Sequence, residues 1–378
     1  MKIIHIITGL NIGGAEKMLE RLLLCNLDTK NITIISLSDL GKIGKNLERQ
    51  GFEIHCLNAN KNIISPILAL IKTVRLIINI KPDIIQTWLY HANLLGSIAS
   101  IFFPKASLIW NLRGCDIPQG IFSRTFIIVK ILSLLSYFSP SKIICCGYSV
   151  KEAHISLGYS SRKMVVIPNG YNLDLSGRNE DFRKKTRKDL YISDNEIVIG
   201  SVGRFDLLKD YESFIRAASL INKKLDNIRF MIIGRDINLN NSKLKLMLEV
   251  NDMLESIILI DEQNSLDAYY SSMDIFCLHS LSEGFPNVLA EAMSFGLPCI
   301  STNAGDANIM LKDSQFICNT NDFKSLADAL SKMCILTSND LYEIGTKNSQ
   351  NISENYNINK INSLYNETYA KTIFNEIQ

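Results

Sequence analysis

The sequence lacks the features that mark membrane-spanning, disulfide-bonded and repeat proteins. No run of about 18 uninterrupted apolar residues occurs, so we expect no transmembrane helix. The nine cysteines include no Cys-x-x-Cys pair, and several lie in apolar runs such as Ile143–Cys146, which is typical of thiols in a reducing compartment. No internal repeat of about 20–50 residues is visible. The apolar run at the amino terminus is interrupted at Gly9 and Asn11 and is too short for the apolar region of a secretory signal. This favours a cytoplasmic location.

The chain also has little net charge, although its charges are unevenly distributed. The formal net charge of +2 gives no reason to expect nucleic acid as a partner, and 47% hydrophobic with 21% charged residues excludes a disordered chain. Residues 1–150 contain 16 Lys and Arg against 8 Asp and Glu, whereas residues 201–378 contain 15 against 23. The basic excess indicates either ordinary solvated charges or a basic surface that faces an anionic lipid or ligand.

Short β-branched runs alternate with helical periodicity along the whole chain, which predicts an α/β protein. The runs in the first half are Ile3–Ile7, Ile32–Ser36, Glu53–Leu57, Ile84–Gln86, Leu108–Leu112, Ile143–Cys146 and Val165–Ile167. Those in the second half are Ile197–Val202, Arg229–Ile233, Ile257–Leu259, Ile275–Leu278, Cys299–Ser301 and Phe316–Cys318. Such alternation favours parallel sheets covered by helices on both faces, and 378 residues exceed one ordinary core. We therefore predict two Rossmann-like, doubly wound domains.

The domain boundaries follow from a change in the character of the sequence. Residues 173–195 are polar and charged, which predicts a linker between a first domain at 1–172 and a second at 196–355. A helix is predicted over 209–223, and the amphipathic tail 356–378 predicts a final helix. Ligands of parallel sheets bind beyond the carboxyl ends of the strands, so we expect a ligand cleft between the two domains.

The most informative segment follows the run Ile275–Leu278 and spans Ser282–Met293, with the sequence SEGFPNVLAEAM. Gly284 permits a tight turn and Pro286 suits a helix start, so Glu283 is expected in a loop and Glu291 in the helix that follows. Two glutamates eight residues apart are common by chance, but a strand–loop–helix context is more specific. Backbone amides of Phe285, Asn287 and Val288 would suit a diphosphate, and the carboxylates would suit sugar hydroxyls.

This segment resembles the E-x7-E motif of the retaining glycosyltransferases of family GT4, and the resemblance covers nearly the whole chain. Further segments similar to that family are Gly13–Glu16, Ile167–Gly170, Ser201–Asp210, Ile232–Arg235 and Gly305–Ala307. The resemblance implies the GT-B fold, in which two Rossmann-like domains face each other across a cleft and a C-terminal helix crosses back to the first domain. It also implies transfer of a sugar from a nucleotide-diphosphate sugar, as in bacterial surface-polysaccharide assembly.

The resemblance also implies roles for individual residues. Glu283, Arg204 and Lys209 are expected to be catalytic, because two fixed cations can stabilise the charge that grows on a leaving diphosphate. Glu291 is expected to bind the ribose of the donor. The other expected donor-binding residues are Gly14, Gly284, Phe285, Pro286, Asn287, Val288 and Arg235. Taken alone, Arg204 and Lys209 are also compatible with a solvated pair at a helix entry.

Metal ions are not expected to take part. No Asp-x-Asp occurs, the pattern with which sugar transferases of the other common fold hold a divalent ion, and the five histidines have no ligand-like spacing. Arg204, Lys209 and helix N-termini can neutralise a diphosphate in place of a metal. We therefore expect no metal and no cofactor beyond the nucleotide-sugar substrate.

The first domain is expected to hold the acceptor, for which His91, Arg113 and Glu16 are candidates. Family members often have a histidine where Arg113 stands, which puts that role in doubt. Arg113 is equally compatible with an ordinary loop arginine, and His91 with a capping or packed histidine. The expected acceptor is a polyprenyl-diphosphate-linked saccharide, which requires a peripheral position on the inner face of the cytoplasmic membrane.

Residues 67–78 suit such a position on an anionic membrane surface. Ile67, Ile71, Val74 and Ile78 repeat at helical spacing beside Lys72 and Arg75. The alternative is that this stripe packs on the sheet. Two other functions also stay open: a nucleotide-sugar epimerase or phosphorylase of similar fold, and a non-catalytic sugar-nucleotide-binding assembly protein.

Overall fold

The computed structural model describes residues 1–59, 65–115, 123–172 and 177–377. The chain divides into two compact units, each with its own sheet. Unit 1 contains Met1–Gly170 and Ile358–Gln378, and unit 2 contains Tyr171–Asn357. No helix in the described ranges is both long and apolar enough to cross a membrane.

Unit 1 is built on a sheet of seven parallel strands. These are β1 (Ile3–Ile7), β2 (Ile32–Ser36), β3 (Glu53–Cys56), β4 (Ile84–Trp88), β5 (Ser107–Leu112), β6 (Lys142–Cys145) and β7 (Met164–Val166). Their order is β3-β2-β1-β4-β5-β6-β7, and every pairing is parallel. β1, β2, β4 and β5 are buried along their whole length, because helices cover both faces of the sheet.

In the described ranges, seven helices accompany this sheet. They are α1 (Gly14–Asn26), α2 (Gly41–Arg49), α3 (Ser65–Ile80), α4 (Tyr90–Ser100), α5 (Arg124–Leu135), α6 (Tyr148–Ser156) and, from the end of the chain, α15 (Ile358–Ile377). α15 belongs to the core of unit 1, because Ile361, Tyr365 and Tyr369 are buried against residues of β1, β4 and α1. The tail thus completes the apolar cover of the first sheet.

Unit 2 repeats this architecture with six parallel strands. They are β8 (Ile197–Val202), β9 (Ile228–Ile233), β10 (Ile257–Ile260), β11 (Ile275–Leu278), β12 (Cys299–Thr302) and β13 (Ile317–Cys318), in the order β10-β9-β8-β11-β12-β13. The helices are α7 (Glu180–Asp189), α8 (Tyr211–Asn222), α9 (Ser242–Val250), α10 (Asp267–Ser272), α11 (Asn287–Ser294), α12 (Ala307–Leu311), α13 (Phe323–Cys334) and α14 (Ser338–Asn355). β8 and β11 are neighbours, so the loops that follow them meet at one edge.

The segment assigned to a linker contains α7, which packs on α10 within unit 2. Three arginines of this segment explain the packing. Arg178, Arg183 and Arg187 all donate to Asp274, and they also reach carbonyl oxygens at the C-terminal end of α10. A helix C-terminus carries unpaired carbonyls and partial negative charge, which favours guanidinium donors. Residues 173–176 of the assigned linker lie outside the described ranges.

The sequence predictions of strands are confirmed within one or two residues at each end, whereas one helix start is wrong. The helix predicted from Lys209 begins at Tyr211, after a 3₁₀ turn at Leu207–Lys209. Asp210 has left-handed backbone geometry with φ of 50°, and its carboxylate accepts from the amide of Ser213 at 3.2 Å. This N-cap starts the helix two residues later than the apolar pattern indicates.

Candidate active site

The loops after β8 and β11 form a polar cluster in unit 2. Gly203–Lys209 follows β8, and His279–Glu283 follows β11. Because both strands are parallel neighbours, their carboxyl ends bring these loops to the same edge of the sheet. The predicted residues Arg204, Lys209 and Glu283 therefore all belong to one region.

Lys209 and Glu283 form an ion pair between the two loops. The Lys209 ammonium donates to Glu283 Oε1, which also accepts from Ser280 Oγ at 2.7 Å. The side chains are 21% and 14% exposed, so the pair is neither sealed in the core nor fully solvated. A carboxylate and a cation in this position can bind a ligand with both hydroxyl and anionic groups.

Further hydrogen bonds hold the loop after β11 to the loop after β8 and to β12. The amide of Leu281 donates to Leu208 O at 2.7 Å, and the hydroxyl of Thr302 donates to Ser280 O at 2.6 Å. Gly305 has φ of 59°, and a Cβ at this position would lie 2.3 Å from Glu283 O. The loop before Gly284 is therefore held closely against the chain after β12, which only glycine permits.

His279 links the first residue of the loop after β11 to Lys209. Its Nδ1 donates to Lys209 O, and its Nε2 accepts from Ser201 Oγ at 2.7 Å. The direction follows because a carbonyl oxygen can only accept. Burial lowers the pKa of His279 to about 3, so the imidazole is neutral at physiological pH.

Two predicted arginines have acidic partners of their own. Arg204 donates from Nε to Asp206 Oδ2 at 3.1 Å, and its side chain is 59% exposed. Asp206 also caps the following 3₁₀ turn by accepting from the amide of Leu208. Arg235, after β9, pairs with Glu262 at 3.3 Å, and both side chains are exposed. The structure places Arg204 in the loop that carries Lys209, but it places Arg235 in a separate surface pair.

The E-x7-E helix, α11, begins at Asn287, directly after Pro286. The amides of Leu289 and Ala290 donate to Pro286 O. As at every helix start, the backbone amides earlier in the chain make no hydrogen bond to a preceding turn of the same helix. Gly284, Phe285 and Pro286 are buried, whereas Asn287 and Val288 are half-buried. The predicted backbone donors therefore come from a tightly packed turn.

The side chains of this turn and helix also have protein partners. Asn287 Oδ1 accepts from Tyr171 OH at 2.8 Å, and the rings of Tyr171 and Phe285 stack with centroids 6.4 Å apart. Glu291 Oε2 accepts from Tyr270 OH at 3.3 Å. Tyr270 is buried, which raises the pKa of its phenol and keeps it a hydrogen-bond donor. A neutral hydroxyl thus helps to orient Glu291.

In unit 1, Arg113 follows β5 and binds residues of its own unit. Its guanidinium donates to Asn169 Oδ1, to Asn111 Oδ1 at 3.2 Å and to Tyr365 OH at 3.4 Å. It also lies over the Trp88 ring, 5.2 Å from the centroid. These contacts join β4, β5, α15 and the chain just after β7, where Asn169 lies. Arg113 therefore has a clear structural role.

The remaining predicted residues of unit 1 are Glu16, Gly14 and His91, which lie in the first turns of α1 and α4. Glu16 is half-buried in the first turn of α1, and desolvation raises the pKa of its carboxyl although Arg113 acts in the opposite direction. Gly14 is the exposed first residue of α1. His91 lies exposed in the first turn of α4. Within residues 1–59, 65–115, 123–172 and 177–377, no group of three or more His, Cys, Asp and Glu side chains could hold a metal ion.

Sequence reasoning missed the residues that support the predicted ones. Ser280 binds Glu283, Tyr270 binds Glu291, and His279 binds Lys209. One signal was present for His279 and Ser280: both polar residues directly follow the buried strand β11, where a ligand site is expected. Tyr270 gave no such signal, because its position in the short helix α10 is typical of a core residue.

Comparisons with known proteins show the family that this chain is similar to. Residues 182–352 match the family model of glycosyl transferases group 1, and residues 12–175 match that of Glycosyltransferase Family 4. An Escherichia coli UDP-Gal:alpha-D-GlcNAc-diphosphoundecaprenol alpha-1,3-galactosyltransferase is 27% identical over 84% of this chain and 83% of its own. The capsular polysaccharide biosynthesis glycosyltransferase CapM of Staphylococcus aureus is 25% identical over 81% and 82%.

A solved structure extends the likeness to the whole fold. Anabaena Alr3699/HepE in complex with UDP superimposes with a TM-score of 0.86 at 20% identity, over 98% of this chain and all of that one. At this identity the likeness shows the fold alone, here the GT-B fold expected from the sequence. With both halves matched by family models and with relatives named as glycosyltransferases, the chain belongs to the glycosyltransferases of group 1 and family 4 and is a transferase enzyme.

Proposed function

We propose that the protein is a retaining glycosyltransferase that moves a sugar from a UDP-sugar, such as UDP-GalNAc, UDP-GlcNAc or UDP-Gal, to a lipid-linked saccharide. The observation that carries this proposal is the Lys209–Glu283 pair, which two loops hold at the carboxyl ends of β8 and β11. The E. coli relative is named for UDP-Gal, and the Anabaena structure contains UDP. Both names support a uridine donor for this chain.

Lys209 and Arg204 act on the leaving group in the proposed reaction. The bond between the sugar C1 and a diphosphate oxygen breaks, and negative charge grows on the diphosphate. Lys209 supplies a compact cation at a fixed place, and Arg204 supplies an exposed fork of donors that matches phosphate oxygens. Glu283 orients Lys209 and accepts from hydroxyls of the donor sugar. No step of this scheme needs a metal ion or another cofactor.

Retention requires that the acceptor oxygen attacks C1 on the face from which the diphosphate leaves. The new bond forms between C1 and the acceptor oxygen, and the acceptor's proton passes to an oxygen of the departing diphosphate. The products are UDP and a saccharide with the donor's anomeric configuration. No protein base is needed, so no side chain is assigned to proton transfer.

Glu291 binds the ribose hydroxyls of the donor in this proposal. Its carboxylate accepts from Tyr270 OH, which leaves further acceptor capacity for a diol. The amides of the turn at Gly284–Val288 precede α11, where a helix start favours the negative charge of a diphosphate.

The proposed acceptor is a polyprenyl-diphosphate-linked saccharide of O-antigen or capsule assembly. The E. coli relative is named for a diphosphoundecaprenol-linked substrate, and a Campylobacter jejuni relative, 25% identical over 82% of this chain, is named for a diphospho-undecaprenol-linked one. Unit 1 takes the acceptor, with His91 and Glu16 as the proposed contacts. Arg113 contributes by holding the loop after β5 in place.

A lipid-linked acceptor requires access to a membrane, and unit 1 exposes a suitable surface. The buried residues of α3 are Ser65, Ala69, Thr73 and Ile77, whereas Ile67 is 61% exposed. α3 packs beside α4, and α4 beside α5. We call the exposed apolar side chains of this region the apolar helical face: Ile67, Leu68, Ile71, Ile78, Ile98, Ile101, Phe102, Ile127, Ile131, Leu134, Tyr137 and Phe138.

The charge around the apolar helical face favours an anionic lipid surface. Between residues 65 and 142 the sequence has eight Lys and Arg but only two Asp and Glu. Lys72 and Arg75 are exposed on α3, and Lys130 is exposed on α5. Each such cation contributes about 1 kcal/mol on an anionic membrane, and salt screens the effect. These charges support our proposal that the enzyme works on the inner face of the cytoplasmic membrane.

Vesicle flotation tests this placement. We expect binding to vesicles with an anionic phospholipid, loss of binding as salt rises, and weaker binding of the Lys72→Glu plus Arg75→Glu variant. The matched control is Lys223→Glu plus Lys224→Glu, which makes the same charge change on exposed residues of unit 2. No binding of the unmodified protein at low salt, or equal loss in the control, would overturn the placement.

A donor screen tests the proposed reaction itself. The protein is incubated with each UDP-sugar, with and without a polyprenyl-diphosphate-linked saccharide, and released UDP and product anomer are measured. We expect UDP release that depends on the acceptor, and a product with the donor's configuration. Epimerised sugar without acceptor would favour an epimerase, phosphate-dependent release would favour a phosphorylase, and tight UDP binding without turnover would favour a non-catalytic assembly protein.

A further inference from the structure

His279 is a buried residue of unit 2 that links the two site loops to each other. It directly follows β11, four residues before Glu283, yet it contacts the backbone of Lys209 in the other loop. It is fully buried, and both ring nitrogens have partners on β8 or the loop after it. No step of the proposed reaction uses its proton.

The environment of His279 fixes the orientation of the imidazole ring. The ring stacks on Phe214 with centroids 4.6 Å apart, and Tyr211 packs edge-on at 4.9 Å. Both aromatic residues belong to α8, the helix that begins just after Lys209. The hydroxyl of Ser201 donates to Nε2 of His279, so the ring proton is on Nδ1, which donates to Lys209 O.

The chain at Lys209 needs such a contact to keep one geometry. Lys209 ends a 3₁₀ turn, and the next residue, Asp210, has left-handed backbone geometry that costs energy for a residue other than glycine. The lysine side chain is a flexible four-carbon stem, so its ammonium is only as well placed as the backbone that carries it. The position of Lys209 Nζ against Glu283 thus depends on where Lys209 O is held.

We propose that His279 is a positioning residue that acts through Lys209: its Nδ1–H holds the Lys209 carbonyl, and so fixes the Lys209 ammonium beside Glu283 where the donor diphosphate binds. This inference rests on the proposed role of Lys209 in donor binding. It assigns a task to a buried histidine that would otherwise only fill space in the core.

Two substitutions separate positioning from packing. In His279→Asn, the side-chain NH₂ stands where Nδ1 stands and still donates to Lys209 O. In His279→Gln, the amide is one bond further out, reaches toward Ser201 and leaves the Lys209 carbonyl without its donor. Both variants place an uncharged amide in the same core, so their thermal stability, measured by circular dichroism, is expected to be similar.

The first measurement does not depend on any nucleotide. The ligand-free variants are treated with an amine-reactive reagent, and the rate of Lys209 modification is followed by peptide mass spectrometry, with exposed Lys223 as internal reference. Loss of one buried hydrogen bond shifts a local equilibrium by a factor of about 10, so we expect Lys209 to react about tenfold faster in His279→Gln. His279→Asn should stay within about threefold of the unmodified protein.

The second measurement is UDP affinity by calorimetry, with and without Lys209→Ala. We expect His279→Gln to weaken UDP about tenfold when Lys209 is present, and less than about twofold when it is absent, because two residues acting through one contact are not additive. Equal modification rates in His279→Gln and His279→Asn would overturn the inference. Failure of the unmodified protein to bind UDP would overturn the proposed donor, while the modification rates would still decide the role of His279.

Discussion

The carboxyl ends of the two sheets carry similar residue types but use them differently. In unit 2, the loops after β8 and β11 support each other and leave Lys209 and Glu283 partly exposed. In unit 1, Arg113 also follows a buried parallel strand, β5, but it donates to Asn111, Asn169 and other residues of the same unit. A cation after a buried strand therefore does not by itself mark a ligand site.

The difference lies in what each cation binds and how exposed it stays. Arg113 donates to β5, to α15 and to the segment after β7, and it lies over an aromatic ring, so it holds its unit together. Lys209 donates to Glu283, which also accepts from Ser280, and both side chains of this ion pair stay partly exposed. The comparison predicts that substitutions in unit 2 change catalysis, whereas the substitution of Arg113 changes stability.

Lys209→Ala is the strongest test of the unit 2 half of this comparison. The charge on the diphosphate grows during bond cleavage, so loss of the cation should lower kcat by about 10²-fold or more. Arg204→Ala is expected to act in the same direction, although Arg204 is more exposed. Released UDP is measured, with Arg216→Ala on α8 as a control that removes an exposed cation. A change confined to KM in both variants would mean that these residues only hold substrate.

Glu291→Ala tests the second glutamate of the motif. Loss of a charged acceptor for two ribose hydroxyls should cost roughly 2–3 kcal/mol of donor binding and raise the donor KM, with kcat less affected. Tyr270→Phe, which removes only the hydroxyl that orients Glu291, should produce a smaller rise in KM. Unchanged donor kinetics in a folded Glu291→Ala protein would remove Glu291 from the site.

Arg113→Ala tests the unit 1 half. Its loss leaves Asn169 and Tyr365 with fewer partners, so we expect unfolding to become easier by about 2 kcal/mol while the KM for the donor stays the same. Urea unfolding measures the first quantity, and steady-state kinetics the second. An unchanged free energy of unfolding with a raised acceptor KM would instead make Arg113 an acceptor contact.

Much of the fold could be predicted from the sequence, because parallel strands that are buried on both faces consist of short runs of apolar residues. All thirteen strands are found where those runs lie. The assignment of residues 173–195 to a linker missed α7, because a helix rich in charge gives no apolar pattern. Its partners, the carbonyls at the end of α10 and Asp274, lie about 90 residues away in the chain.

The site could be predicted only as far as its motif residues. Spacing placed Glu283 in a loop and Glu291 in a helix, as the structure has them. Spacing could not show that Arg235 pairs with Glu262 or that His279 holds Lys209 O, because both contacts join segments that are distant in sequence. Such contacts depend on strand order, which a single sequence does not state.

Chelation is the prediction with the smallest expected effect, and it tests whether the cations of unit 2 are sufficient. The sequence has no Asp-x-Asp pattern, and Lys209 stands at the strand ends with Arg204 in the same loop. If these cations neutralise the leaving diphosphate, EDTA should leave the rate of UDP release unchanged within error, and added Mg²⁺ should not raise it. The Lys209→Ala variant sharpens this test, because a metal ion can then substitute in part for the lost cation and restore some activity. Complete loss of activity in EDTA with recovery in Mn²⁺ or Mg²⁺ would show that the ion stabilises the leaving group, and that the Lys209–Glu283 pair, like the contacts of Arg113 in unit 1, mainly holds its unit together.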